Sequence, residues 1–433
     1  MNGVFFDPER ETLARPELEK IQLAGLRKMV EHILQGDTFY AKRLRAAGVT
    51  ATDINSLQDY REKVPLTIKD DLRDAMRETG QSMPHLCVDE SEIVLAGPSA
   101  GTSGEPTWQA FTAQDKAINT GMIARLQYMC GLRGDGISII FGTPFMPWVH
   151  TAPEASREIG VNWVILDDHN PGGIDRYVKT LLNLRPTFVH CGVGILRLMM
   201  DALEAGYKKG LPSRLKTLVL SGAELGEEAR KEIKERLGAD VCVLGGQGSD
   251  FNIFGAECPG FPGHVWGGED HYYLEIVDPD TFEPVTPGDI GELVITDFYR
   301  QATPHVRWRT EDLYREIPEP LPDGRTGKRL ECFGRVAFRV EVGGEFIYAY
   351  QVEAALSAIV ETRNVEFALL RPEQPSKVLT ICLQSPQRSA EEIKSLQQQL
   401  SAKLALPVVL RCHDQLPVVG YKTLRVISQI DLS

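Results

Sequence analysis

Between residues 137 and 244, short uninterrupted apolar runs alternate with amphipathic stretches, and this alternation narrows the fold more than any other feature of the chain. The runs at 137–141, 161–166, 187–191, 217–220 and 241–244 lack the regular polar-out pattern of a strand with one wet face. A strand that is apolar at consecutive positions is buried on both faces, which is the situation inside a parallel sheet covered by helices. The helical patterns at 195–205 and 227–236 supply crossovers of the kind that parallel strands require. A layered α/β domain follows.

The flanks have different textures. In the first hundred residues Leu23, Leu26, Val30 and Ile33 recur at three- and four-residue spacing with charges between them, which predicts helices. From residue 272 the turn segments Asp278-Pro279-Asp280 and Pro287-Gly288-Asp289 separate apolar runs at 272–277 and 292–296, a pattern of antiparallel strands and hence of a β subdomain. The Pro- and Gly-bearing stretch 317–327 reads as a surface loop. Beyond Gly334 a helix is predicted at 351–359, strands at 365–370 and 378–383, and a polar helix at 390–404, the make-up of a small α+β domain. A chain of 433 residues exceeds what one hydrophobic core supports, so two domains are expected, 1–334 and 335–433.

The formal charge of −13 repels nucleic-acid and anionic-membrane surfaces. Eight scattered cysteines without a Cys-x-x-Cys pair read as reduced thiols, and no run approaches the ~18–20 apolar residues of a membrane span. The N-terminus turns acidic before any long apolar run and does not read as a secretory signal, so a cytoplasmic location is expected.

One loop carries chemistry by composition. Ser99-Ala100-Gly101-Thr102-Ser103-Gly104-Glu105-Pro106-Thr107 follows the apolar run 93–96. Its glycines allow close backbone approach, and its N–H and hydroxyl groups can cradle phosphate oxygens; a polar hairpin loop is the alternative. The string resembles the Ser-Ser-Gly-Thr-Thr-Gly-Lys-Pro-Thr loop of adenylate-forming enzymes, phenylacetate–CoA ligases in particular. Further matches follow in that family's order: Val64-Pro65-Leu66-Thr67 with Lys69-Asp70-Asp71-Leu72-Arg73, then Ser221-Gly222-Ala223-Glu224, Ser249-Asp250, Glu269-Asp270-His271-Tyr272-Tyr273 and Gly291-Glu292-Leu293-Val294. Arg307-Trp308-Arg309-Thr310-Glu311-Asp312-Leu313, Gly334-Arg335, Gln351-Val352-Glu353 and Lys422-Thr423-Leu424-Arg425-Val426 complete the set.

The resemblance implies ATP-dependent activation of an aromatic carboxylic acid, aryl or arylacetic, to an acyl-adenylate and then to a CoA thioester, with ATP, Mg²⁺ and coenzyme A. It implies a small C-terminal domain that rotates between the half-reactions, and it is compatible with a homodimer. Acyl adenylation joins two anions, so the site must screen charge and fix an in-line geometry. By resemblance Ser99, Gly101, Thr102, Ser103 and Gly104 hold phosphates, Gly222, Ala223 and Glu224 border the adenine, and Ser249 belongs to the same nucleotide site. Asp312 takes the ribose hydroxyls, Arg335 makes a second nucleotide contact, and Asp250 helps hold Mg²⁺. Lys422 bridges the carboxylate and α-phosphate, a role suited to a compact ammonium. The acid is expected among Phe141, Gly142, Phe145, Trp148 and His150 and the turn Gly245-Gly246, whose missing side chains leave room for an acid bulkier than phenylacetate. Cys258 and His264 stand near a structural zinc position of some relatives, although a full set of four ligands is not apparent.

Four departures from the family pattern stand out. Glu105 replaces the loop lysine, Gly246-Gln247-Gly248-Ser249-Asp250 lacks the aromatic ring expected on the adenine, Val336-Ala337-Phe338 lacks the hinge carboxylate, and Gly343 replaces an arginine. Two alternatives follow: an adenylating enzyme serving another acceptor, a carrier-protein thiol or an amine, and a member that binds without catalysis.

Overall fold

The computed structural model describes residues 3–99, 105–134, 136–143, 146–167, 173–204, 214–221, 225, 227–245, 255–258, 261, 263–363, 365–419 and 422–432, without the side chains of 227–229, 419 and 422. The chain divides into two compact units, one of residues 1–225, 231–310 and 315–332, the other of 226–230, 311–314 and 333–433.

The layered α/β class expected from the sequence is the one observed. An eleven-stranded sheet runs in the order Tyr273–Val277, Ile290–Thr296, Trp308–Glu316, Arg329–Arg335, His264–Val265, Gly255–Glu257, Asp240–Gly245, Thr217–Ser221, Phe188–Gly192, Ile137–Phe141 and Asn162–Leu166. The last five strands pair in parallel. Pairing turns antiparallel where Asp240–Gly245 meets Gly255–Glu257, so the β-rich segment extends the parallel sheet.

Side-chain alternation explains the unbroken apolar runs. Ile139, Phe141, Val189, Cys191, Leu218, Leu220 and Val243 enter one core with residues of the helices Ile174–Leu184 and Val193–Ala202. Their immediate neighbours Ile140, Phe188, Val219 and Cys242 enter the opposite core with the helices Ala113–Met129 and Trp148–Glu158. Each strand is thus covered on both faces, and each buried aliphatic or aromatic side chain contributes about 1.5–3 kcal/mol of transfer free energy.

The N-terminal helix Arg15–Leu34 buries Leu26, Met29, Val30 and Ile33 against Tyr40, Leu44, Tyr60 and Tyr273. Ahead of it, Glu11 accepts from Arg325 Nε at 3.0 Å, and its carbonyl accepts from Thr326 N at 3.1 Å. Arg15 pairs with Glu269 at 2.9 Å, while Arg10 and Arg125 converge on Asp270 at 2.7 and 2.8 Å. The stretch 317–327, expected as a surface loop, is instead partly interior. Leu321 and Arg325 are buried, because Glu11 neutralises the guanidinium that the loop turns inward.

In the other unit a four-stranded sheet, in the order Val408–His413, Leu379–Gln384, Phe367–Leu370 and Val426–Ile427, packs with the helices Ala349–Ser357 and Ala390–Leu404 around one apolar core. The second helix spans the residues predicted for it. Ser389 caps its start by accepting from Glu392 N at 3.3 Å, and Glu392 accepts in return from Ser389 N at 2.8 Å. The hairpin Arg339–Val342 to Glu345–Tyr348 turns on Gly343 and Gly344 with φ of 66° and 93°. Two successive left-handed residues favour glycine, so Gly343 and Gly344 suit this turn.

Candidate active site

The strands Ile93–Pro98 and Trp108–Thr112 pair antiparallel, so the 99–107 loop closes a hairpin; both sequence readings of that stretch, hairpin and phosphate cradle, are compatible with this. Its base is locked at both ends. Ser99 N donates to Thr107 O at 2.7 Å, and Ser99 Oγ accepts from Thr107 N at 3.0 Å and from Thr107 Oγ1 at 3.2 Å. Lys69 Nζ donates to the same Ser99 Oγ at 3.2 Å.

Lys69 opens the helix Lys69–Thr79 and belongs to a stripe at four-residue spacing with Arg73 and Arg77. Arg73 Nε donates to Glu105 O at 2.9 Å, and Arg77 Nη1 lies 3.9 Å from the Glu105 carboxylate. Glu105, at the position of the loop lysine in the resembled pattern, therefore lies beside Arg73 and Arg77, which also pair with Asp70 and Asp74 of their own helix. Sequence reasoning recognised this helix as a signature but assigned Lys69 no role; the signal was its spacing to Arg73 and Arg77.

Asp312 and Arg335 are brought together, with Arg335 Nε donating to Asp312 Oδ1 at 3.0 Å. Glu311, immediately before Asp312, holds a left-handed φ of 60°, a backbone state that costs a non-glycine residue of order 1 kcal/mol. Val336–Phe338, which lacks the hinge carboxylate, forms a single 3₁₀ turn after Arg335. Lys422 pairs through its backbone with Val419 in a short hairpin.

The motif loops begin at the carboxyl ends of three strands of the parallel part of the sheet, Thr217–Ser221, Asp240–Gly245 and Ile137–Phe141, where open α/β sheets bind ligands. Gly101, Thr102, Ser103, Gly104, Phe145, Gly222, Ala223, Glu224, Gly246, Ser249 and Asp250 lie outside the described residues.

The described residues expected at the acid pocket are placed as follows. Phe141 is 1% exposed and packs edge-on to Tyr177 at 5.2 Å, so it is a core side chain rather than an open wall. His150 is exposed on the first turn of the helix Trp148–Glu158. Gly245 leaves no extra room, because a Cβ there would collide with the buried His264 ring, which fills that space. Gly142 behaves similarly: a Cβ would lie 2.7 Å from Trp148 Cη2, so the indole occupies the place of its side chain.

The zinc candidates lead elsewhere. Cys258 Sγ is 3.7 Å from Asp323 Oδ2, and burial pushes its thiol up to about 11. Among the described residues no group of three or more His, Cys, Asp or Glu side chains could hold a metal ion. Nor, among them, is any helix long and apolar enough to cross a membrane.

The sequence analysis passed over His190. It lies in the strand Phe188–Gly192 at 7% exposure, its ring 5.2 Å from that of Trp148, and its Nε2 is buried without a hydrogen-bond partner. Burial pushes its imidazole down to about 4, so it is neutral at pH 7. A histidine inside an otherwise apolar strand was the available signal.

No family model matches the chain. A phenylacetate–coenzyme A ligase of Thermus thermophilus is 29% identical over 375 residues, 83% of this chain and 79% of the relative. One of Pseudomonas putida is 28% identical over 354 residues, covering 79% and 76%. Among solved structures, a 2-hydroxyisobutyryl-CoA ligase in the postadenylation state aligns with a TM-score of 0.85 at 21% identity, over 100% of this chain and 94% of that one, a likeness of fold.

Proposed function

We propose that this chain, a phenylacetate–CoA ligase-like member of the adenylate-forming superfamily, is an AMP-forming acid–CoA ligase. A carboxylate oxygen of the substrate attacks the α-phosphorus of ATP and pyrophosphate leaves. The thiol sulfur of coenzyme A then attacks the acyl carbon, AMP leaves, and the thiol proton passes to solvent.

The observation that carries this reading is the 99–107 hairpin, locked at Ser99 and Thr107 and backed by Lys69. Lys69 places a cation on a rigid helix beside the loop, so the charge screening that the reaction demands does not depend on a lysine at position 105. Lys69 and the hydroxyls and glycines of the loop are the donor types that ATP phosphates take. Gly222, Ala223, Glu224 and Ser249 border the nucleotide in this reading, Asp312 and Arg335 take its ribose side, and Asp250 would hold Mg²⁺, which would supply charge neutralisation at the phosphates. Residues 1–334 form the adenylation domain and 335–433 the small domain that carries Lys422. The acid is aromatic, with the Trp148 indole at the carboxyl end of Ile137–Phe141 as its apolar wall.

Pyrophosphate exchange across a panel of aryl and arylacetic acids tests the first half-reaction, and thioester formation on adding CoA tests the second. Lys422→Ala is expected to lower exchange by several orders of magnitude with ATP binding retained; an unchanged exchange rate would remove Lys422 from the mechanism. A second reading, transfer to another thiol or an amine, is favoured by the missing carboxylate in Val336–Phe338. Exchange without thioester formation supports it.

A further inference from the structure

We propose that His190 sets the specificity of the acid site, and that the acid carries a hydroxyl or amino group that hydrogen-bonds to the His190 ring. This rests on the ligase reading above and names the substrate class within it.

His190 sits two residues before the carboxyl end of its strand and in register with Ile140, next to the Phe141-Gly142 end of the neighbouring strand. That is the edge of the sheet where the acid is expected. Its strand neighbours on the same face, Phe188, Ile140, Val219 and Cys242, belong to an apolar core, so they offer the ring no strong hydrogen-bonding partner. Trp148 lies across it, tilted by 41°, is itself only half-buried, and reaches Gly142. Gly142, Trp148 and His190 thus form one cluster at the carboxyl ends of two parallel strands.

A neutral imidazole carries one donor and one acceptor nitrogen, and a buried polar atom left without a partner is costly. An apolar acid leaves Nε2 in that state. A hydroxyl or amino group can donate or accept, so it satisfies Nε2 in either tautomer. Sites built to bond a polar substituent reject the analogue that lacks it.

The test uses pairs of acids differing by one group: phenylacetate against its ring-hydroxylated and ring-amino derivatives, and isobutyrate against its 2-hydroxy derivative. In pyrophosphate exchange the full-length chain is expected to show kcat/KM at least tenfold higher for one of the polar acids than for its parent. His190→Leu is expected to reduce that ratio to below about threefold, with KM for ATP unchanged and thermal stability at or above that of the parent chain, since an unpartnered polar ring has been replaced by an apolar one. His190→Gln, which keeps a donor and an acceptor, is expected to retain part of the preference. Equal use of polar and parent acids, or a tenfold preference that survives in His190→Leu, overturns the proposal and leaves the ligase reading standing. Absence of exchange with every acid overturns both.

Discussion

At the mouth of the 99–107 loop a carboxylate stands where the resembled Ser-Ser-Gly-Thr-Thr-Gly-Lys-Pro-Thr pattern has a lysine, and two arginines lie beside it. Arg77 faces Glu105 while Lys69, thirty residues upstream, reaches Ser99 at the loop base. A charged hydrogen bond to a phosphate contributes about 1.5–3 kcal/mol. Lys69→Ala is therefore expected to raise KM for ATP roughly tenfold or more in initial-rate measurements, with the melting temperature little changed; an unaltered KM would show that Lys69 only braces the hairpin. The departure at Glu105 was visible in the sequence, but its compensation was not. Position 105 meets position 77 only through the fold, and nothing local to either residue announces the pairing. Gly245 teaches the same lesson in reverse, since its apparent spaciousness is cancelled by His264, nineteen positions away and buried against it.

The parallel strands were the most legible elements, because burial on both faces writes itself into consecutive apolar residues. The hairpin Ile93–Pro98 to Trp108–Thr112 was less so: only the short run 93–96 marks its first strand, and Gln109 is a buried polar residue held by a distant partner. Arg300 Nη2 donates to Gln109 Oε1 at 2.8 Å, and Thr303 Oγ1 both donates to and accepts from Ala110. The helix Ala113–Met129 starts at a capping box in which Asp115 N donates to Thr112 Oγ1, and Asp115 also accepts from Thr112 N, Gln301 N and Ala302 N at 2.8–3.0 Å. One fully buried carboxylate thereby fixes a helix start and the loop that supports the hairpin. Asp115→Ala strands the buried N–H groups of Thr112 and Ala302 and the partly buried one of Gln301, and is expected to cost about 3–5 kcal/mol in urea unfolding. Asp115→Asn, which keeps one acceptor oxygen, should lose clearly less; equal losses would show that volume rather than bonding matters there.

Across the whole molecule, buried histidines set the acid limit. Burial pushes His190 and His271 down to about 4, and His85, with His305 and Arg300 adding to the effect, well below its ordinary value. Each is neutral in the folded chain, so its share of stability is complete above pH ~6.5 and falls toward pH 4, by about 1.4 kcal/mol per pH unit for each group. For Glu275 burial outweighs Arg307 and raises the carboxyl, which offsets part of that loss. For Asp270 burial is overcome by Arg125 and Arg10, and its contribution disappears only below the usual carboxylate range. Urea unfolding at pH 7.5 and 5 is expected to differ on the order of 4 kcal/mol, with a smaller difference in His190→Leu; a pH-independent midpoint would contradict the buried neutral state. The ties of the N-terminal segment carry a different consequence, for synthesis. Glu11 is locked by Arg325, 314 residues later in the chain. At ~5–20 residues per second the ribosome needs roughly a quarter of a minute to a minute to make that span. Throughout that interval the Glu11 carboxylate has no guanidinium at position 325 to close on, so this tie forms only after residue 325 has been made.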